Sequence, residues 1–248
     1  MEGMARAVVF DFYGTLAHWA EDAAVNYAAV FASHGYPLPD SVLDEYFTLY
    51  DGVDHSEHSI NEEAYERWVR GRLRQLAETG GVDVRHMGAV VDSLRAADQG
   101  PMVAYPEAAP ALRALRDAGL AVGVCSNWGW EIDPFLAEIG VLKLVDCAIT
   151  SARAGMRKPH PEIYMQTAHR LAVDPRDIVF VGDSWEPDVR GPRRMGMTAV
   201  HVWRVDERPG QAAPALEDGD HRVADLRGVL DVLALGSDVV AELAEDVS

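Results

Sequence analysis

An apolar run, Ala7-Val8-Val9-Phe10, leads into a carboxylate at Asp11 and then into a sharp turn at Gly14. A carboxylate at the end of a buried strand is a candidate nucleophile. Two residues further on, where a second carboxylate would complete a proton-shuttle pair, the chain has Tyr13. With an ordinary pKa of about 10, a tyrosine is a weak acid and is scarcely ionised as a base at neutral pH. Two more apolar runs end on polar side chains, at Ser126-Asn127 and at Asp183-Ser184. A lone Asp after a strand is commonly a turn residue or helix cap, but three such endings in chain order point to one shared edge. If Asp183 faces Asp11, two carboxylates meet across a crevice, which raises a pKa or recruits a cation. Magnesium suits such a place, since it accepts a few carboxylate oxygens, keeps water in its other positions and bridges to phosphate.

Lys158 is one of only two lysines, with Lys143, in a chain that otherwise uses arginine. Its plain reading is a solvated side chain before a helix, but the composition suggests that a compact ammonium is wanted there. Asp188 follows Pro187 and reads either as part of the same acidic group or as an exposed helix-start residue. Asn127 either stabilises its turn or contacts a substrate.

The elements that would position these residues alternate. Uninterrupted apolar runs at Ala7 to Phe12, Leu120 to Ser126, Asp146 to Thr150, Ile178 to Val181 and Thr198 to Trp203 read as parallel strands covered on both faces. Helical patterns separate them at Glu107 to Ala118, Pro134 to Ile139 and Pro161 to Leu171, and Val223 to Leu235 reads as a last short strand and a closing helix. This predicts an α/β fold with a doubly wound parallel sheet. Residues 17–100 break the rhythm with four stretches of helical spacing, starting at Asp22, Ser41, Asn61 and after Gly81, with turns at Asp51-Gly52 and Gly80-Gly81. A four-helix insertion in a core made of 1–16 and 101–248 is the expected organisation.

The 248 residues are 48% hydrophobic, enough for a full core, and 22 basic against 40 acidic side chains give a net charge of −18. That field disfavours nucleic acid and acidic membrane surfaces as partners. A small anionic substrate remains compatible, provided that a local cation or metal supplies positive charge. Two cysteines, Cys125 and Cys147, lie at no paired metal or redox spacing, and no charged leader or long apolar segment is evident; a cytoplasmic, reduced protein is expected. Cys125 reads as a small buried hydrophobe. In the insertion and beside it, His18, Trp19, His55, His58, Arg67 and Trp68 read as packing or surface groups, and Arg70, Arg72 and Arg74 as a solvated helix face.

In these motifs the chain resembles the haloacid dehalogenase superfamily, in the branch whose helical cap follows the first motif. The first motif stands here as Asp11-Phe12-Tyr13-Gly14-Thr15-Leu16, the second as Ser126, the third as Lys158 and the fourth as Gly182-Asp183 with Asp188. The resemblance implies a Rossmann-like core and a cap formed by 17–100. It implies that Asp11 attacks the substrate and forms a covalent aspartyl intermediate, that Thr15 and Ser126 hydrogen-bond the transferred group, and that Lys158 neutralises its charge. It further implies that Mg²⁺ is held by Asp11, Asp183 and the backbone carbonyl of Tyr13, with Asp188 ligating directly or orienting a water. Tyr13 departs from the phosphatase pattern and resembles the 2-haloacid dehalogenases, which need no metal. Asp183 resembles the phosphatases, where dehalogenases have Ser. The expected function is a magnesium-dependent phosphatase of a small phosphorylated metabolite. Its alternatives are a metal-independent 2-haloacid dehalogenase and a weakly active or non-catalytic phosphate-binding protein. His18 is the best substitute for the missing acid or base.

Overall fold

The computed structural model describes residues 5–51, 58–217 and 219–235. The chain divides into two compact units, one made of Met1–His18 with Ala104–Ser248 and one of Trp19–Val103.

The first unit is built on a six-stranded parallel sheet in the order β5-β4-β1-β6-β7-β8. Its strands are β1 (Ala7–Phe10), β4 (Ala121–Ser126), β5 (Cys147–Thr150), β6 (Ile178–Gly182), β7 (Thr198–Val202) and β8 (His221–Val223); the short β2 (Ala17–Trp19) and β3 (Met102–Ala104) pair separately. This is the α/β sheet that the alternation predicts. β1 is central, with Phe10 in register with Val124 on one side and Val181 on the other, and all four of its residues are fully buried. From β1 the chain works outward through β4 to β5, then returns to β6 on the other side of β1 and continues to β7 and β8. Right-handed crossovers in these two directions place helices on both faces. The connections leaving β1 and β6 therefore part at the carboxyl edge of the sheet, where a crevice opens.

β1 stops at Phe10, two residues short of the predicted end, because the Phe12 carbonyl turns to accept the Leu16 and Ala17 amides at 2.8 and 3.1 Å. The covering helices are α5 (Ala108–Asp117), α6 (Asp133–Glu138), α7 (Ser151–Ala154), α8 (Pro161–Leu171), α9 (Gly191–Arg194) and α10 (Arg227–Val232). Val9, Cys125, Ile163, Tyr164, Phe180 and Met197 belong to one core cluster. Cys125 is inert there, its thiol pushed up to about 12 by burial.

The second unit contains α1 (Ala23–Ser33), α2 (Asp40–Asp51), α3 (Glu62–Thr79) and α4 (Met87–Ala97). Asn61 caps α3 by accepting the Ala64 amide at 2.9 Å, and Tyr65, Val69, Leu73 and Leu76 form its buried stripe at helical spacing. The reading of Arg70, Arg72 and Arg74 as one solvated face needs correction. At about 100° per residue, Arg70 and Arg74 share a side and Arg72 points away from them. Arg70 pairs with Glu66 and Asp92, whereas the Arg72 guanidinium lies 5.3 Å from the ring centroids of Tyr46 and Trp68. His58 stacks on Trp68 at 4.5 Å, and Arg67 pairs with Glu63 one turn away. His55 and Gly52 lie outside the described residues. Among the described residues no helix is long and apolar enough to cross a membrane.

Candidate active site

Asp11 leaves the end of β1 with its amide still bonded to the Val181 carbonyl at 2.8 Å, so the ladder fixes its backbone against β6. The following turn needs Gly14. Its φ is +79°, and a Cβ there would sit 2.8 Å from Asp183 Cγ, so the absent side chain is what lets the Asp183 carboxylate lie against the turn. Thr15 is fully buried, and its hydroxyl has no hydrogen-bond partner among the described residues. Ser126 is buried at the end of β4. Tyr13 is 44% exposed, and its backbone bridges to Ala17.

Lys158 reaches the same edge from the connection before α8. Its side chain is 2% exposed, and the ammonium donates to Asp11 Oδ1 at 2.7 Å and to Asp188 Oδ1 at 2.6 Å. The solvated reading of Lys158 is therefore overturned. Burial alone would push its pKa down, but the Asp11 and Asp188 carboxylates outweigh burial and hold it protonated. Asn127 clamps the lysine backbone from both sides, accepting the Lys158 amide at 2.7 Å and donating to its carbonyl at 3.0 Å.

Asp188 is completely buried in a π-helical turn, Trp185–Arg190, which also overturns its reading as an exposed helix-start residue. The wide turn folds it back under β6, so that its second oxygen accepts the Ser184 amide at 3.0 Å. A Cβ on Gly182 would meet its carboxylate at 2.4 Å. The Tyr164 hydroxyl holds the turn by donating to the Pro187 carbonyl at 2.5 Å. Asp11, Asp183 and Asp188 each offer an oxygen within 4.8 Å of the others. Burial, and then the other carboxylates, raise Asp188, with Lys158 pulling it back. Asp183 is raised to about 6 by burial and by Asp11, with Arg208 and Lys158 opposing. Three close carboxylates, two of them sharing one buried lysine, make a donor set that fits a hard divalent cation.

Two residues that carry no motif complete the cluster. Arg208, after β7, donates to Asp183 Oδ2 at 2.5 Å and to the Asp183 carbonyl at 3.1 Å. His201, buried in β7, bonds the same carbonyl at 3.0 Å through Nε2, while its Nδ1 accepts from Arg222 at 3.2 Å, an arrangement that puts the ring proton on Nε2. Burial lowers the His201 pKa to about 4, so the ring stays neutral. Arg204 anchors the connection that carries Arg208. It lies 3.5 Å from the Tyr105 ring centroid, pairs with Glu107 at 2.7 Å and donates to the Thr15 carbonyl at 3.3 Å. His18 packs on the same Tyr105 ring at 5.2 Å.

A sequence model of a family described as haloacid dehalogenase-like hydrolase matches residues 5–196. The chain belongs to this hydrolase family. Among relatives of this haloacid dehalogenase-like hydrolase, the glyceraldehyde 3-phosphate phosphatase of Methanopyrus kandleri is 32% identical, aligned over 98% of this chain and all of that protein. Haloacid dehalogenase-like hydrolase domain-containing protein 3 of Bos taurus is 25% identical over 92% of this chain and 93% of its own. In fold, the hydrolase is similar to 2-haloacid dehalogenase from Pseudomonas syringae pv. tomato DC3000, with a TM-score of 0.69 and 24% identity, covering 93% of this chain and 99% of that one.

Proposed function

We propose that this hydrolase is a magnesium-dependent phosphatase that acts on a small phosphorylated metabolite through an aspartyl-phosphate. The observation that carries the proposal is the trio Asp11, Asp183 and Asp188, gathered within 4.8 Å around a buried lysine. Asp11, Asp183 and the backbone carbonyl at Tyr13 would hold Mg²⁺, with Asp188 ligating or orienting a water. Bound there, the ion offsets negative charge as phosphate approaches a carboxylate. An Asp11 oxygen attacks phosphorus and the bond to the leaving oxygen breaks. Water then attacks the phosphorus of the aspartyl-phosphate, freeing inorganic phosphate and restoring Asp11. The unpartnered, buried Thr15 hydroxyl and the Ser126 hydroxyl are donors for the transferred group, and the Lys158 ammonium balances its charge. Asn127 serves by fixing the Lys158 backbone.

Tyr13 narrows the substrate. Without the usual carboxylic acid, the leaving group must need little protonation, as in an acyl phosphate, or must take its proton from another residue such as His18. The phosphatase relative at 32% identity supports phosphoryl transfer over the second reading, 2-haloacid dehalogenase chemistry, which Tyr13 alone favours. The helical unit, Trp19–Val103, is proposed to serve as the cap that selects the substrate. Two free thiols, Cys125 and Cys147, support a reducing, cytoplasmic setting.

The test is a panel of phosphomonoesters, acyl phosphates and 2-haloacids, each with and without Mg²⁺. The proposal expects phosphate release that requires the metal, with acyl phosphates the best substrates. Metal-independent halide release from 2-chloropropionate would establish the second reading, and inertness across the panel would leave a phosphate-binding protein.

A further inference from the structure

We infer that Arg208 is the resident counter-cation of Asp183, and that a divalent ion binds this carboxylate only by exchanging with the guanidinium. The inference rests on the metal site proposed above and concerns what that site holds before metal arrives. The Arg208 grip is two-pronged, one nitrogen on the Asp183 carboxylate at 2.5 Å and one on its carbonyl at 3.1 Å. The guanidinium is also seated 4.5 Å from the Trp203 ring centroid, so one face meets an aromatic ring while its edge meets the acid. Both partners are only partly exposed, the Arg208 side chain to 23% and the Asp183 side chain to 16%.

The charges are shared out unevenly. Lys158 pairs directly with Asp11 and Asp188, and Arg208 pairs directly with Asp183. A guanidinium and a divalent ion on one carboxylate, where water screens them poorly, repel strongly. His201 and the Arg204 anchor keep Asp183 and the connection in place without Arg208, so the exchange asks only for rotation of one side chain. That rotation takes the charge off the Trp203 face.

Calorimetric titration of the full chain with MgCl₂, alongside tryptophan emission, reads the exchange without any substrate. Arg208→Gln is expected to bind Mg²⁺ about 10-fold more tightly than wild type, within the range of ordinary coupling between sites. Arg208→Lys, which keeps the charge, is expected to stay near wild type. Wild-type emission should change on Mg²⁺ addition, and Trp203→Phe should remove that change, a readout that needs no Arg208 variant to fold. Equal or weaker Mg²⁺ binding by Arg208→Gln, with wild-type binding intact, overturns the exchange and leaves the metal site standing. Arg208→Lys binding as tightly as Arg208→Gln overturns it too. No Mg²⁺ binding by either wild type or Arg208→Gln overturns both the exchange and the metal site.

Discussion

In the proposed function Tyr13 would set the chemical limits of the site, because an ordinary phenol has neither the acidity to protonate a poor leaving group nor the basicity to activate water. Tyr13→Asp should therefore raise kcat/KM for alkyl phosphates by ~10²–10⁴-fold, the usual contribution of general acid–base help, and barely change it for acetyl phosphate. The check is the dependence of kcat/KM on leaving-group pKa, which should be steep in wild type and shallow in the variant. Asp183 supplies a second residue-scale prediction. Its folded-state value near 6 lies above the ordinary carboxylate value, so between about pH 4 and pH 6 the folded protein binds more protons than the unfolded chain. Stability from this group is then highest in acid and falls as pH rises through 6. In metal-free buffer Asp183→Asn should raise Tm at pH 7.5 and leave it nearly unchanged at pH 4, while the freed Arg208, partly exposed, is hydrated. Melting curves across that range give the result. Asp11, Lys158 and Asp183 were legible in the sequence, since two of them follow apolar strand runs and the lysine precedes a helix. Arg208 and His201 were not, because a loop arginine and a strand histidine reach Asp183 through tertiary folding that no spacing announces.

At the scale of elements, two turns make the site. The turn after β1 needs a left-handed residue and a missing side chain at the same position, Gly14. Gly14→Ala should cost about 1–3 kcal/mol in urea unfolding, the usual range for a strained backbone, and should weaken Mg²⁺ binding because Asp183 must retreat. The other is the π-helical turn Trp185–Arg190, whose extra width brings Asp188 beneath Gly182 while Tyr164 holds the Pro187 carbonyl. The strands were readable from apolar runs, but this turn was not. Pro187 and two neighbouring acids, Glu186 and Asp188, suggest an ordinary exposed helix start, and only contact with Lys158 and the Ser184 amide makes Asp188 a buried residue. Arg72 teaches the same lesson in α3: charge alone marks a surface, but helical phase turns it toward Tyr46 and Trp68.

For the whole molecule, a net charge of −18 sets a repulsive background against which the proposed phosphatase would have to draw its anionic substrate. Three carboxylates and two basic groups leave the described cluster with one negative charge, so by charge alone it holds no phosphate. A divalent cation reverses that sign locally. The doubly wound order explains why the cluster forms where it does: β1 and β6 are neighbours whose connections part, and Asp11 and Asp183 are the first residues beyond each. In the proposed function, a divalent ion at this edge lets Asp11 accept a phosphoryl group. Acid-quenched protein taken during turnover of acetyl phosphate, digested and analysed by mass spectrometry, tests it most directly. One phosphoryl adduct is expected, on the peptide that carries Asp11, present with Mg²⁺ and lost with EDTA or in Asp11→Asn. An adduct that forms equally well without metal, or one that resides on any other peptide, contradicts it.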